Sequence, residues 1–325
     1  MNHNLNKIVL TKILSIIPEN IKPVNFFMDV LDLSKESAYR RLRGEKALSF
    51  EDIYKLSLVL DFSLDEISEN SESNRFVFNH IGAYQKNPEN NLIDYFYYYE
   101  ERLKELAEAE NVEIVCTLNH LQNVMLVEYK NLFKFFYFRW IHQMKEVPLD
   151  YFYSDLTIPT ELKELCGRLE ILHKKLKKVT YIIDKNLHLN MIREMQYFHM
   201  RNLVTEEELD ILKKEYLQYL ENSVGVLKKG ADDNGTQFDV YLSLLNVSST
   251  TTYSTCDNNE KSNFWHYYGY PIFTDNKKIT SRHRYWIDSL KKYSTLISQS
   301  NELVLADFFN RQRLYLDNIA DDIML

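Results

Sequence analysis

The side chains best equipped for chemistry lie close together near the start of the chain. Between Ser34 and Lys46 stand five cations (Lys35, Arg40, Arg41, Arg43, Lys46) and two carboxylates (Glu36, Glu45), a local charge of +3. An arginine offers a planar fork of donors that grips two acceptors at once, on a phosphate or on the edge of a guanine, whereas a lysine is a point charge. Ser34, Ser37 and Tyr39 add hydroxyls to the same stretch. Any solvated helix face also carries charges, so the weight of this run depends on the element that presents it.

Other chemical patterns fall short of motif strength. Gly225-x4-Gly230 and Gly230-x4-Gly235 mimic the first half of a phosphate-binding loop. Neither is followed by Lys-Ser/Thr, since Ala231-Asp232 and Thr236-Gln237 come next, so the lysine that holds phosphate is missing. Among the nine histidines, His188 and His199 lie near one face of a helix but three turns apart, too far to share an ion held at about 2 Å. Cys116, Cys166 and Cys256 are too widely spaced for metal ligation or a disulfide framework, and they suit reduced thiols in a cytoplasmic protein. No catalytic constellation, metal site or cofactor site is expected, so the chain does not read as an enzyme. Trp265, His266, Tyr267, Tyr268, Tyr270, Arg282, His283, Arg284 and Trp286 could wall an effector pocket. An aromatic sheet packed on helices accounts for them better.

The 325 residues are 45% apolar and 26% charged, enough for large cores, and the net charge is −8. Such acidity by itself argues against a phosphate-binding surface. Divided along the chain, residues 1–70 hold nine cations and eleven carboxylates, so most of the excess lies elsewhere. With the basic run confined to Ser34–Lys46, one helix would carry most of any phosphate affinity, and non-specific binding would be weak. Only seven glycines occur, which disfavours phosphate-cradling loops and tight all-β turns and favours helices. No run of 18 uncharged apolar residues predicts a membrane span. The first twenty residues read as an amphipathic helix, with no cleavage site of a secretory signal.

The elements that hold the basic run are legible. Leu5, Ile8, Val9, Ile13 and Ile16 recur at helical spacing up to Pro18. Pro23 opens a second helix at its first turn, with Val24, Phe27, Met28 and Leu31 along it. After Asp32-Leu33, Ser34 caps a third helix, Lys35 to Arg43, which Gly44 stops. Ser49-Phe-Glu-Asp52 is a capping-box start for a fourth helix carrying Ile53, Leu56, Val59 and Leu60. Ser63 caps a fifth, Leu64 to Ile67.

Five short helices with a tight turn between the second and third resemble the Cro/C1-type, lambda-repressor-like helix-turn-helix domain. The resemblance spans about residues 5–69 and rests on Leu33 before the turn, Ser34 at the helix start, Ala38 four residues on, Gly44, and the ending through Ser63-Leu64-Asp65-Glu66-Ile67. Phe62 departs from it where the family usually has Gly, and Arg41 where it often has an apolar residue. In that family the third helix lies in the major groove. With Ala38 and Leu42 facing the core, the resemblance implies Lys35, Glu36, Ser37 and Arg40 at base edges and Arg43 and Lys46 at phosphate. Ser34, Tyr39 and Arg41 complete the implied DNA-binding set. Paired half-sites, and hence a homodimer on a palindromic operator in double-stranded DNA, follow from the small size of one such domain.

The rest of the chain predicts a linker and connecting segment over 70–90 and a mainly α, α+β body over 91–325. Helices are expected from about Tyr95 to Ala109, Leu132 to Met144, Thr160 to Leu176, Asp184 to Arg201 and Thr205 to Lys229. Val112–Leu118 reads as a strand, and 238–273 as a small antiparallel sheet of two or three strands. Helices from Ser281 to Ser298 and Asn301 to Asp321 close the chain. This order resembles helix-turn-helix regulators of Bacteroidetes, on Ile158-Pro-Thr160 before the leucine stripe and on Ser294–Ser298 followed by Glu302 and Phe308-Phe309. That resemblance implies a regulator architecture and no known ligand; on the regulator reading the body forms a homodimer and is the place where a small-molecule or peptide effector could act. The alternative is a receptor whose helical body mainly binds protein or peptide, which calls for stacked helices without a sheet in 238–273.

Overall fold

The computed structural model describes residues 5–18, 20–60, 62–63, 76–81, 87–257, 259–265 and 271–319. They divide into two units, Met1–Val77 and Phe78–Leu325. The first is built on α1 (Leu5–Ile16), α2 (Pro23–Leu31), α3 (Lys35–Leu42) and α4 (Phe50–Leu60). Pro23 stands at the start of α2, as its missing N–H allows. Val9, Ile13, Phe27, Leu31, Ala38 and Leu56 form the centre of one apolar core, closed by Leu48 and Phe62. The expected fifth helix, Leu64–Ile67, lies outside the described residues.

The second unit is α+β, but its sheet is neither small nor purely antiparallel, as 238–273 alone would suggest. Among the described residues eight strands run in the order β1-β7-β6-β5-β2-β3-β4-β8. They are β1 (Asn79–His80), β2 (Val112–Leu118), β3 (Lys178–Asp184), β4 (Gln237–Ser243), β5 (Thr251–Cys256), β6 (Asn259–Trp265), β7 (Pro271–Thr274) and β8 (Ser294–Leu296). β2 pairs parallel with β3, Val115 opposite Thr180, and β3 parallel with β4, Val179 opposite Phe238. The other pairs are antiparallel. Parallel neighbours need long crossovers, here supplied by helices. α6 (Lys130–Met144) and α7 (Thr160–His173) join β2 to β3, and α8 (Leu189–Met200) and α9 (Glu206–Lys229) join β3 to β4. α5 (Pro88–Glu108) precedes β2, α10 (Lys277–Lys292) lies between β7 and β8, and α11 (Glu302–Asp317) follows β8. The expected helix Ser281–Ser298 is thus displaced, because the β-branched Thr295 and Ile297 leave the helical path after Lys292.

The strand alternation separates two cores. Ile114, Cys116, Leu118, Val179, Ile183, Val240 and Leu242 face a large helical layer with Phe96, Phe135, Trp140, Leu165 and Phe308. Val115, Ile182 and Tyr253 face the opposite side, where α10 packs Ile287 and Leu290 on them. Segment 70–90, read as connecting, contributes the edge strand β1 and the start of α5. With β4 to β7 occupying most of 237–274, the body is not a stack of helical repeats.

Turn chemistry follows the sequence at several boundaries. Thr205 and Glu208 form the expected capping box of α9, the Thr205 N–H donating to Glu208 at 2.9 Å and the Glu208 N–H to the Thr205 hydroxyl at 3.2 Å. Gly230 ends α9 at φ +74 with its N–H on the Val226 carbonyl at 2.7 Å.

Candidate nucleic-acid interface

Three residues, Asp32, Leu33 and Ser34, separate α2 from α3, the turn length of a helix-turn-helix. Asp32 takes the left-handed conformation at φ 50 and its N–H bonds the Met28 carbonyl, which reverses the chain sharply. Ser34 then caps α3, its hydroxyl accepting from the Ser37 N–H at 3.4 Å. At the other end the Gly44 N–H bonds the Arg41 carbonyl and the Glu45 N–H the Arg40 carbonyl, both at 2.9 Å. This double closure needs the left-handed Gly44, at φ +74. α3 is therefore a short rod with both ends fixed by residues legible in the sequence.

Its rotation is set by Ala38, which is wholly buried, and by the half-buried Leu42 against the same core. Ser34, Lys35, Glu36, Arg40, Arg43 and Lys46 are exposed, Ser37 is half-buried at the edge, and Tyr39 is 43% exposed. Arg43 meets Glu45 at 3.0 Å, but both are exposed. Exposed pairs of this kind contribute about 0–1 kcal/mol, so a phosphate can displace Glu45. The outward surface presents four cations and two carboxylates.

Arg41 leaves the set. Three residues after Ala38, it lies only about 60° from it around the helix, on the core side. It is 7% exposed, and its Nε donates to Asp52 Oδ2 at 3.0 Å. Its charge serves the fold and does not face a ligand. Asp52 is the residue that reading by local pattern missed. The same Oδ2 accepts the Ser49 N–H at 3.0 Å, while the Asp52 N–H donates to the Ser49 hydroxyl at 3.1 Å. The capping box of α4 was visible as Ser49-Phe-Glu-Asp52, but its second task, anchoring α3 through Arg41, was not. Burial pushes the Asp52 carboxyl up, but the Ser49 N–H and the Arg41 guanidinium outweigh it and hold it below its ordinary value. Asn6 of α1 adds a third tie, accepting the Leu48 N–H at 2.9 Å after α3 has ended.

The remaining candidates do not converge. Gly225 lies inside α9, Gly230 at its end and Gly235 in the turn after it. His188 is buried, with Nδ1 2.9 Å from the Tyr216 hydroxyl, and burial pushes it down to about 3. His199 instead meets the Val204 carbonyl at 3.0 Å and Glu206 at 3.2 Å. Trp265 points into the helical layer, its ring 5.6 Å from Tyr95, whereas His283 stands on the other face between Ser262 and Thr251, at 2.8 Å from each. Trp286 stacks on His283, Arg284 is held by Glu113 and Asp288, and Arg282 is exposed. His266, Tyr267, Tyr268 and Tyr270 lie outside the described residues. Among the described residues no group of His, Cys, Asp and Glu could hold a metal ion, and no helix is long and apolar enough to cross a membrane.

Comparison with protein-family models, with curated proteins and with solved structures returned no match.

Proposed function

We propose that the chain is a sequence-specific DNA-binding transcription regulator that inserts α3 into the major groove. One observation carries this reading: a capped three-residue turn delivers a helix whose inner side is anchored by Ala38 and Arg41 and whose outer side offers Lys35, Glu36, Ser37 and Arg40. Arg40 suits a guanine edge, and Glu36 can accept from cytosine. In this reading Arg43, Lys46 and the Ser34 hydroxyl contact phosphate. The body dimerises the protein so that two copies of α3 read half-sites about one helical turn apart. A small-molecule or peptide signal acts through that body. The work is that of a cytoplasmic protein without catalytic activity, cofactor or membrane association.

The test is binding of the full chain to operator fragments selected from random duplexes, read by fluorescence anisotropy. Arg40→Ala with Arg43→Ala is expected to weaken the selected site by roughly tenfold to a hundredfold, as the loss of a base fork worth about 1–3 kcal/mol requires. Retained affinity in the double variant sinks the recognition-helix assignment.

A further inference from the structure

Among the described helices, α10 carries the largest net positive charge. Its sixteen residues, KKITSRHRYWIDSLKK, hold six cations and one carboxylate, in a chain of net charge −8. Thr280, His283, Ile287 and Leu290 are buried toward the sheet. On the opposite side Lys278, Ser281, Arg282, Tyr285, Ser289 and Lys292 are all exposed, Tyr285 by 78%. The spacing of 278, 282, 285, 289 and 292 places them on a single stripe. Asp288, at its flank, meets Arg284 at 3.0 Å, and Arg284 also holds Glu113, so this group leaves a local −1 beside the stripe, against the three cations Lys278, Arg282 and Lys292 on it.

The composition of the stripe selects its partner. It has no Leu, Ile, Val, Met or Phe, so it cannot supply the apolar core of a protein interface, from which lysine is depleted. The same lack removes the apolar face that membrane docking needs. Cations of one sign interleaved with serine and tyrosine hydroxyls are the donors that contact nucleic-acid phosphates. From Lys278 to Lys292 the stripe is about 21 Å long at the helical rise, a reach of about six phosphates along one strand.

We propose that the outward face of α10 is a second DNA contact, on the body of the protein, gripping the phosphate backbone of duplex DNA without reading sequence. That the polyanion is DNA rests on the reading of α3 given above; the stripe and its charge do not. The two contacts divide the work, α3 supplying discrimination and α10 supplying affinity that any duplex can satisfy.

The test uses the full chain and a labelled duplex of mixed sequence, with affinity followed by anisotropy over a salt series. Three proteins are compared: the natural chain, Lys278→Ala/Arg282→Ala/Lys292→Ala, and Arg40→Ala/Arg43→Ala. Matched circular dichroism and melting show that the exposed substitutions leave the fold intact. Each phosphate that is no longer neutralised lowers the log–log salt slope by about 0.9, so the α10 triple variant is expected to flatten it by roughly 2–3 and to weaken low-salt binding by about tenfold. An unchanged slope in the triple variant, with binding abolished in the α3 variant, overturns the α10 contact and leaves the α3 reading standing. The reverse pattern keeps α10, and α3 is then judged on the selected operator fragments, where retained affinity of Arg40→Ala/Arg43→Ala overturns it. If the triple variant instead leaves the slope unchanged and alters sedimentation of the chain at low salt, the stripe docks on an acidic face of a second copy and the DNA contact is overturned. No binding by the natural chain at the lowest salt overturns both.

Discussion

Removing Asp52 is the sharpest perturbation of the candidate interface, because one oxygen atom serves two helices. In Asp52→Ala the Ser49 N–H loses its acceptor, a capping loss of about 1 kcal/mol. Arg41 is then stranded at 7% exposure. Breaking a buried pair on one side costs about 3–5 kcal/mol, and the low end applies since the Asp52 side chain keeps 14% exposure. The sum is roughly 4 kcal/mol. A unit of this length has a total stability of about 4–11 kcal/mol at the usual density per residue, so the loss removes a third of it or more. Arg41→Met, by contrast, replaces the buried charge by an apolar chain of similar length and is expected to be nearly neutral, since Asp52 is left partly solvated and still bonded to Ser49. Urea unfolding with hydrogen exchange localised to residues 5–60 measures both variants. DNA binding should fall in Asp52→Ala although no outward residue of α3 has changed. A loss below about 1 kcal/mol in Asp52→Ala, or an equal loss in Arg41→Met, refutes the anchoring argument. The pH dependence gives a second check. The folded carboxyl lies below its ordinary value, so its contribution is complete above about pH 4 and disappears as the pH falls through the folded value. The advantage over Asp52→Asn should vanish over that same interval.

Two further expectations concern the body. Burial pushes His188 down to about 3, and His283 and His173 to about 4. These rings stay neutral in the folded body while the unfolded chain takes up protons below about pH 6.5, so stability is full above that value and declines steadily as the pH falls toward the folded values. Melting temperature against pH is expected to show this decline, with a shallower slope in His188→Gln than in the natural chain; an unaltered slope excludes His188 as a contributor. Gly230→Ala places a Cβ 2.2 Å from Gln299 Cδ at a backbone φ of +74. The left-handed conformation alone costs about 1–2 kcal/mol. Adding Gln299→Ala should recover only the part due to the clash, and full recovery in thermal melts would falsify the backbone account.

Local chemistry made the first unit readable. Pro23, Ser34, Gly44 and Ser49 each act within a few residues of themselves, so their roles survive without tertiary information. Arg41 was the exception, because its own charge is met by an acid on the next helix, Asp52. In the body, Thr205, Glu208 and Gly230 marked α9 for the same local reason. The strand β3, in the middle of the three parallel strands, escaped notice because both its faces are covered. Lys178-Val-Thr-Tyr-Ile-Ile-Asp184 then shows no apolar-polar alternation, and seven residues cannot be told by periodicity from the tail of the preceding leucine stripe. β8 has only three residues, and its place beside β4 is fixed by Tyr241 opposite Leu296, a pairing that no local pattern encodes. The outward stripe of α10 was hidden similarly: its cations mix with His283 and Trp286 in the sequence, and only the packing sorts them to opposite sides.

The pairing of β1 with β7 sets a schedule for synthesis. Asn79 lies opposite Phe273, so the strand that begins the body has no partner until nearly all of the sheet has left the ribosome. At about 5–20 residues per second, about 200 residues of waiting last roughly 10–40 s. The first unit closes its contacts within its own short length and can be folded throughout that interval. A nascent chain therefore displays a finished α3 before α10 has been made.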